Sequence, residues 1–435
     1  MIDWVVEEAL KSGFTAADAL RQKERTREFW WSPSGQQYHL RTQDLLYIRG
    51  FWDSGLPVGC CLTAPCKNLV RQGLRDLSGV GLPDTGPSFA RHMPAGLQKV
   101  RMQIYDEASV NLGNPDISRL VDRLFESALY YPKVEIRSVR LLQQEKKVYI
   151  GNSHGLSGKY RKTVLHLSLV LGFDGEWVKL TDSRVFWQDF DPLSLVTRGV
   201  NLLRSFKGAT WKGLGSVPLV FSPESATLML RLFASRFRLP ERRDQQNWRE
   251  EDESQIFPQL FRLEDEPHLD RQVGSVPFDD EGVQTPLTRL VDRGRIVRRI
   301  GDIRRSSLWH LPSTGNGFRV GTAVMPGIHF SNLSIPAGVY AFRRLLADAE
   351  GGVLVTMLLP ISAQAGQSLL QGFGFRIQGG DMAEPVRFIV KTRFPDFFLR
   401  LQKTSKERRF FYQGVNIGSP FLLSEGVFRE DGLHV

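Results

Sequence analysis

From Thr163 to Leu171 the chain alternates without a break, Leu165, Leu167, Leu169 and Leu171 to one side, His166 and Ser168 to the other. A side-chain period of two belongs to an extended strand with one face buried, and half-buried strands are characteristic of antiparallel sheets. Such a strand requires an apolar layer on one side of its sheet. The neighbouring segments supply both layers: Lys133 to Leu142, Lys147 to Ile150 and Gln37 to Phe51 read as further strands. Helical spacing marks Asp3 to Lys11, Cys66 to Asp76, Pro115 to Ala128, Asp191 to Arg204 and Ser222 to Arg238, the last with Pro223 in its first turn. Gly79 to Gly96 reads as a long loop, and the acidic, polar Pro240 to Glu253 as an exposed loop or domain junction. Beyond Gly274, short strands broken by Gly and Pro run to Val435. The pattern predicts an α+β protein, with an N-terminal α+β domain holding an antiparallel sheet over residues 1–205 and a mainly β C-terminal domain over 206–435.

Composition narrows the setting. The longest apolar run, Val353 to Leu359, is far short of the roughly 18 residues of a membrane span, and MIDWVVEEALKSGF lacks the basic-then-apolar order of a signal peptide. The chain has three Cys, all within GCCLTAPC; Cys60, Cys61 and Cys66 match neither zinc-ligand dipeptides nor a redox pair, so they read as small hydrophobes. A cytoplasmic protein without a membrane partner is expected. Its formal charge is 57 − 47 = +10, which brings nucleic acid into consideration. The basic clusters, Arg289 to Arg305 and Lys403 to Arg409, carry no interleaved aromatics and are countered by acids between Glu250 and Glu266. A solvated arginine-rich face is the favoured reading.

Local motifs are few. Gly151 to Gly155 fits G-x-S-x-G, but a nucleophile elbow needs a helix after the serine, whereas a strand follows here; a turn that uses Gly151, Asn152 and Gly155 for positive φ is expected instead. Asp279, Asp280 and Glu281, framed by Gly274 and Gly282, could bind a metal or act as acid and base. Caps on backbone amides are the favoured role for such adjacent acids. Gly315-Asn316-Gly317 and Gly372-Phe373-Gly374 are lone glycine pairs, too short to signal a phosphate cradle. No HExxH occurs.

Taken in order, several stretches resemble the TldD/PmbA family, also named modulator of DNA gyrase. GSVPFDDEGVQTPLTRLVDRGRI, residues 274–296, is similar to its signature loop. KKVYIGNSHG, VPLVFSP, GGVLVTMLL and FGFRIQGGDMAEPV resemble further family segments, so the likeness spans nearly the whole chain. The resemblance implies a zinc peptidase fold, in which TldD-type members carry HExxxH on the helix after the V-x-x-P strand and a later Cys completes the metal shell. Here Arg231 and Arg236 stand where the two His would be and Leu232 where the Glu would be, and no Cys follows Cys66. Arginine has no lone pair for zinc, and leucine cannot accept a proton.

The resemblance therefore implies a PmbA/TldE-like member with no catalytic residue, metal or cofactor of its own. Its expected partners are a TldD-like zinc peptidase subunit or a second copy, together with a peptide substrate. Pro277, Phe278, Asp279, Asp280, Glu281 and Gly282 are the candidate substrate or interface loop. The alternative is a basic protein associated with nucleic acid or gyrase. A third reading, an autonomous peptidase with a metal at Asp279 to Glu281, stands behind both.

Overall fold

The computed structural model describes residues 1–53, 57–80, 89–211, 217–241, 256–364, 367–393 and 396–425. Most of the predicted junction at Pro240 to Glu253 and residues 81–88 of the predicted Gly79 to Gly96 loop lie outside them. The architecture is α+β, as the patterns predict, and is dominated by antiparallel pairing.

The first sheet has the order β3-β2-β1-β4-β5-β6, with β1 Ala16–Ser32, β2 Gly35–Phe51, β3 Val58–Thr63, β4 Val134–Asn152, β5 Ser157–Phe173 and β6 Glu176–Arg184. The alternating leucines of β5 are buried on one face, where Ile117, Leu120 and Leu124 of the helix Asn114–Leu129 and Leu195, Val196 and Val200 of the helix Pro192–Phe206 cover them. The helix Ile2–Lys11 covers the other end of that face through Val5, Val6 and Ala9 against Ala17, Ala19, Leu46 and Ile48. On the opposite face, Leu20, Tyr47, Val148 and Ile150 pack against Phe278, which comes from the other half of the chain.

The second sheet runs β11-β10-β9-β14-β19-β8-β15-β16-β17-β7, with β18 beside β19. Its strands are β7 Thr210–Trp211, β8 Pro218–Phe221, β9 Leu263–Asp265, β10 Thr288–Asp292, β11 Arg295–Ile296, β14 Asn332–Ser334, β15 Val353–Gln364, β16 Gln367–Gln378, β17 Asp381–Arg393, β18 Leu401–Tyr412 and β19 Asn416–Glu425. A separate pair joins β12 Gly317–Phe318 to β13 Gly327–Ile328. Alternation sorts β8 between two cores. Leu219 and Phe221 join the large cluster under the helix Pro223–Phe233, while Val220 faces Leu345 and Leu346 of the helix Phe342–Asp348.

Two sequence readings need correction. Lys133 to Leu142 and Lys147 to Ile150 are one strand, because the polar residues between them still pair with β1 and β5. Ser222 to Arg238 is not one helix: the α-helix ends at Phe233, and Ala234–Phe237 tighten into a 3₁₀ turn. Its buried face is Ala226, Met229, Leu230 and Phe233, with Leu228 and Leu232 only flanking it.

Candidate functional site

The helix Pro223–Phe233 starts where β8 ends. Ser222 Oγ accepts the Ser225 N–H at 3.2 Å, and Pro223 fills the first turn. At the far end Leu232 packs against the core, Arg231 is exposed with Nη1 3.4 Å from Gln413 Oε1, and Arg236 is exposed on the 3₁₀ turn. These residues do not fit zinc. Two cations face solvent from different kinds of helical turn, and the residue between them is apolar. Among the described residues, no three His, Cys, Asp or Glu side chains gather closely enough to hold a metal ion.

The acidic loop has a different environment. Asp279, Asp280 and Glu281 are fully or almost fully buried, as are Phe278 and Gly282, while Pro277 is half-buried. Asp279 Oδ1 accepts the N–H groups of Glu281 (3.0 Å) and Val283 (2.9 Å), and its Oδ2 accepts that of Gly317 (2.8 Å). Asp280 Oδ2 accepts the Arg319 N–H at 2.7 Å, and Glu281 Oε2 accepts the Ile303 N–H at 2.7 Å. The acids thus cap amides of the loop and of the segments beside it, the role favoured from the sequence. Burial and then the Glu281 charge hold the Asp279 carboxyl far above the usual range. Of the loop, Pro277 alone is more than marginally exposed.

What the loop does hold is the other half of the chain. Arg49 of β2 donates Nη1 to Glu281 Oε1 at 2.9 Å and pairs through Nε and Nη2 with Asp18 of β1. Burial opposes the Arg49 charge, but Asp18 and Glu281 outweigh it and hold its pKa above normal. Arg319 donates to the Asp280 carbonyl and stands 3.6 Å from Asp18 Oδ1. Burial, then the Arg49 charge, push its pKa down. Lys162 of β5 is buried on the same face and donates Nζ to the Ser275 carbonyl at 2.8 Å. Burial and the Lys146 charge push its pKa down to about 7.

Glycines let the backbone close around these acids. Gly282 has φ +79°, which a residue with a Cβ rarely adopts, and a Cβ on Gly317 would lie 2.5 Å from Glu281 Oε2. The Gly315-Asn316-Gly317 pair therefore cradles carboxylates of its own chain. Asn316 Nδ2 also donates to Asp265 Oδ2 at 2.7 Å, and burial raises Asp265 to about 6.

The G-x-S-x-G segment is a turn between β4 and β5. Ser153 Oγ accepts the Ala17 N–H at 3.1 Å, and Asn152 Oδ1 accepts the N–H groups of His154 (2.9 Å) and Leu156 (3.1 Å). Of the three residues expected at positive φ, only Gly155 is there, at +87°; Gly151 is required by packing, since a Cβ would lie 2.6 Å from Ile2 Cγ2. Cys60 and Cys61 are half-buried and Cys66 is exposed, so the small-hydrophobe reading fails for the last. In the basic run, Arg289 pairs with Glu264, Arg305 with Glu241, and Arg299 is buried, so part of that charge is spent inside the molecule.

Asp18, Arg49, Lys162 and Arg319 escaped the sequence reading. The signal was present in AADAL and LLYIRGF, where a lone charge interrupts an apolar strand and must find a buried partner.

Residues 214–428 match the model of the PmbA/TldA metallopeptidase C-terminal domain. The Metalloprotease PmbA homolog of Buchnera aphidicola (subsp. Acyrthosiphon pisum) is 30% identical over 137 residues, 31% of this chain and 28% of that protein. Metalloprotease PmbA of Escherichia coli O157:H7 is 29% identical over 138 residues, again 31% and 28%. The matched stretch thus spans under a third of these relatives' length. In three dimensions the likeness is complete: TldE from Thermococcus kodakarensis superposes with a TM-score of 0.85 at 18% identity, covering 98% of this chain and 99% of that one. A Thermotoga maritima chain named for a DNA-gyrase modulator gives 0.80 at 17% identity, covering 97% of each. At such identities the superpositions establish the fold.

Proposed function

Because this chain belongs to the PmbA/TldD family, we propose that it is the non-catalytic, cytoplasmic subunit of a metalloprotease-like complex, which shapes the cleft and holds peptide for a zinc-bearing relative. The observation that carries this reading is the set Arg231, Leu232 and Arg236 at the end of the helix Pro223–Phe233, where the family resemblance would put two zinc ligands and a general base. No zinc step can run through these side chains.

A second feature supports an assembly. β3 pairs only with Leu45 to Gly50, so among the described residues the outer edge of β2 over residues 35–44 has no strand beside it. Tyr38 and Leu40, two apart and therefore on one face, are 51% and 52% exposed. An open edge with exposed apolar side chains is suited to adding a strand, whether of a partner subunit or of an extended peptide.

The test is affinity purification of the full chain from its native host. A co-purifying family member that bears HExxxH is the expected result. Recovery of this chain alone or only with copies of itself, with no such relative encoded, would overturn the heteromeric reading.

A further inference from the structure

Beyond the 3₁₀ turn Ala234–Phe237 the backbone becomes extended, and its side chains alternate. Phe237 and Leu239 are buried in the large core, so Arg238 between them lies at the edge of that core. Backbone bonds fix the segment on both sides of it: the Leu239 N–H donates to the Ile300 carbonyl at 2.9 Å, and the Ile300 N–H to the Phe237 carbonyl at 2.8 Å. The Arg238 guanidinium carbon then stands 5.6 Å from the centre of the Phe330 ring.

This half-buried guanidinium has no anion. It forms no ion pair and no side-chain hydrogen bond among the described residues; its Nε is enclosed without a partner, whereas Nη1 and Nη2 are not enclosed. The acids of the neighbourhood are engaged by other groups: Glu241 by Arg305 at 2.5 Å, Asp302 Oδ1 by the Arg305 N–H and Asp280 Oδ2 by the Arg319 N–H. Burial and then the Arg305 charge push the Arg238 pKa down, and no carboxylate offsets them. His329, half-buried next to Phe330 in the chain, is pushed down by burial and then by the Arg238 charge, with Asp280 opposing. A cation set against a second cation, an imidazole and an aromatic ring gains from an added negative charge.

We propose that Arg238 binds a carboxylate group of the held peptide, with Nη1 and Nη2 donating to its two oxygens. The planar fork of a guanidinium matches a carboxylate, and one unpaired guanidinium suits a single negative charge. The place fits as well, since Arg236, two residues earlier, stands where the family resemblance would put a zinc ligand. Peptides carry carboxylates at the carboxy terminus and on Asp and Glu side chains. The assignment rests on the peptide-holding reading but needs no partner subunit, so it is measured on this chain alone and its failure leaves the heteromeric reading standing.

The probe is N-acetylglycine, titrated into the full chain labelled at histidine and followed by NMR, with N-acetylglycinamide as the neutral control and His329→Gln to assign the signal. The acid should move the His329 ring signal saturably and raise the pH at which that ring titrates, because it offsets the Arg238 charge; the amide should do neither. Arg238→Gln should weaken the acid roughly tenfold or more. Arg238→Lys, which keeps the charge but not the fork, should weaken it less. Nα-acetyl-aspartic acid α-amide then identifies the source: preference for it assigns an acidic side chain, preference for N-acetylglycine a carboxy terminus. No saturable shift, an equal shift with the neutral amide, unchanged affinity in Arg238→Gln, or tighter binding of inorganic phosphate than of either carboxylate would overturn the proposal.

Discussion

Arg49 carries much of the connection between the two halves of the molecule, since its guanidinium bonds both to Asp18 on the neighbouring strand and to Glu281, a residue 232 positions away. Replacing it by methionine keeps the bulk but leaves two buried carboxylates unpaired, and Arg49→Met is expected to cost about 3–5 kcal/mol in urea denaturation. Adding Asp18→Asn and Glu281→Gln should recover part of that loss; no recovery would mean that packing, not charge, is what Arg49 supplies. Lys162 makes a pH-dependent contribution of known sign. Its pKa falls to about 7 in the fold, against about 10.4 in the unfolded chain, so between those values the unfolded state holds more protons and stability rises with pH. Below pH 7 both states are charged and the cost of burying the ammonium is paid in full. Comparing the wild type with Lys162→Met at pH 7.5 and 9.5, the wild type should gain up to about 2 kcal/mol relative to the variant; an equal response would remove Lys162 as the cause. At this scale the capping role of Asp279 to Glu281 was legible, because adjacent acids between glycines have amides within reach. The lone charges of Asp18 and Arg49 in apolar strands signalled burial, but which residue each would meet was not legible, because the Arg49–Glu281 bond spans 232 positions.

Single elements were legible where one face is buried throughout. The leucines of β5, and Ile117, Leu120, Val121 and Leu124 of the helix Asn114–Leu129, print their period directly into the sequence. The stretch Ala16–Ser32 did not, because its burial changes along its length, from a fully buried start to a polar, half-exposed remainder. Two short helices, Ile303–Leu308 and Phe342–Asp348, lie within the half expected to be mainly β; six or seven residues are too few to establish a period. The helix Pro223–Phe233 is the element on which the proposed function turns. Its conversion to a 3₁₀ turn at Ala234 means that restoring the side chains does not restore the site. The triple variant Arg231→His, Leu232→Glu, Arg236→His is expected to bind no stoichiometric zinc by elemental analysis after gel filtration, since the third ligand is also absent. One tightly bound zinc per chain would show that the helix end readily adopts the ligating geometry.

The whole molecule joins a six-stranded and an eleven-stranded sheet through the acidic loop and through the helix Pro192–Phe206, which touches both: its Leu195, Val196 and Val200 pack on the first sheet, and Phe206 meets Phe373 of β16 with ring centroids 4.5 Å apart. At the first of these, Arg49 bonds Asp18 of the first sheet and Glu281 of the loop, so the buried carboxylates tie the two sheets together. No helix among the described residues is long and apolar enough to cross a membrane. The α+β architecture with antiparallel sheets was legible in the patterns, whereas the contacts between the two sheets, made by side chains far apart in the chain, were not. The account stands on the claim that catalysis belongs to a partner. Peptidase activity and zinc content should be measured together on this chain alone, on its HExxxH-bearing relative from the same host, and on the reconstituted pair. The account predicts no hydrolysis and no stoichiometric zinc for this chain alone, and hydrolysis by the pair that is abolished when the glutamate of the partner's HExxxH becomes glutamine. Hydrolysis by this chain alone, or activity of the pair that survives that change, would contradict it.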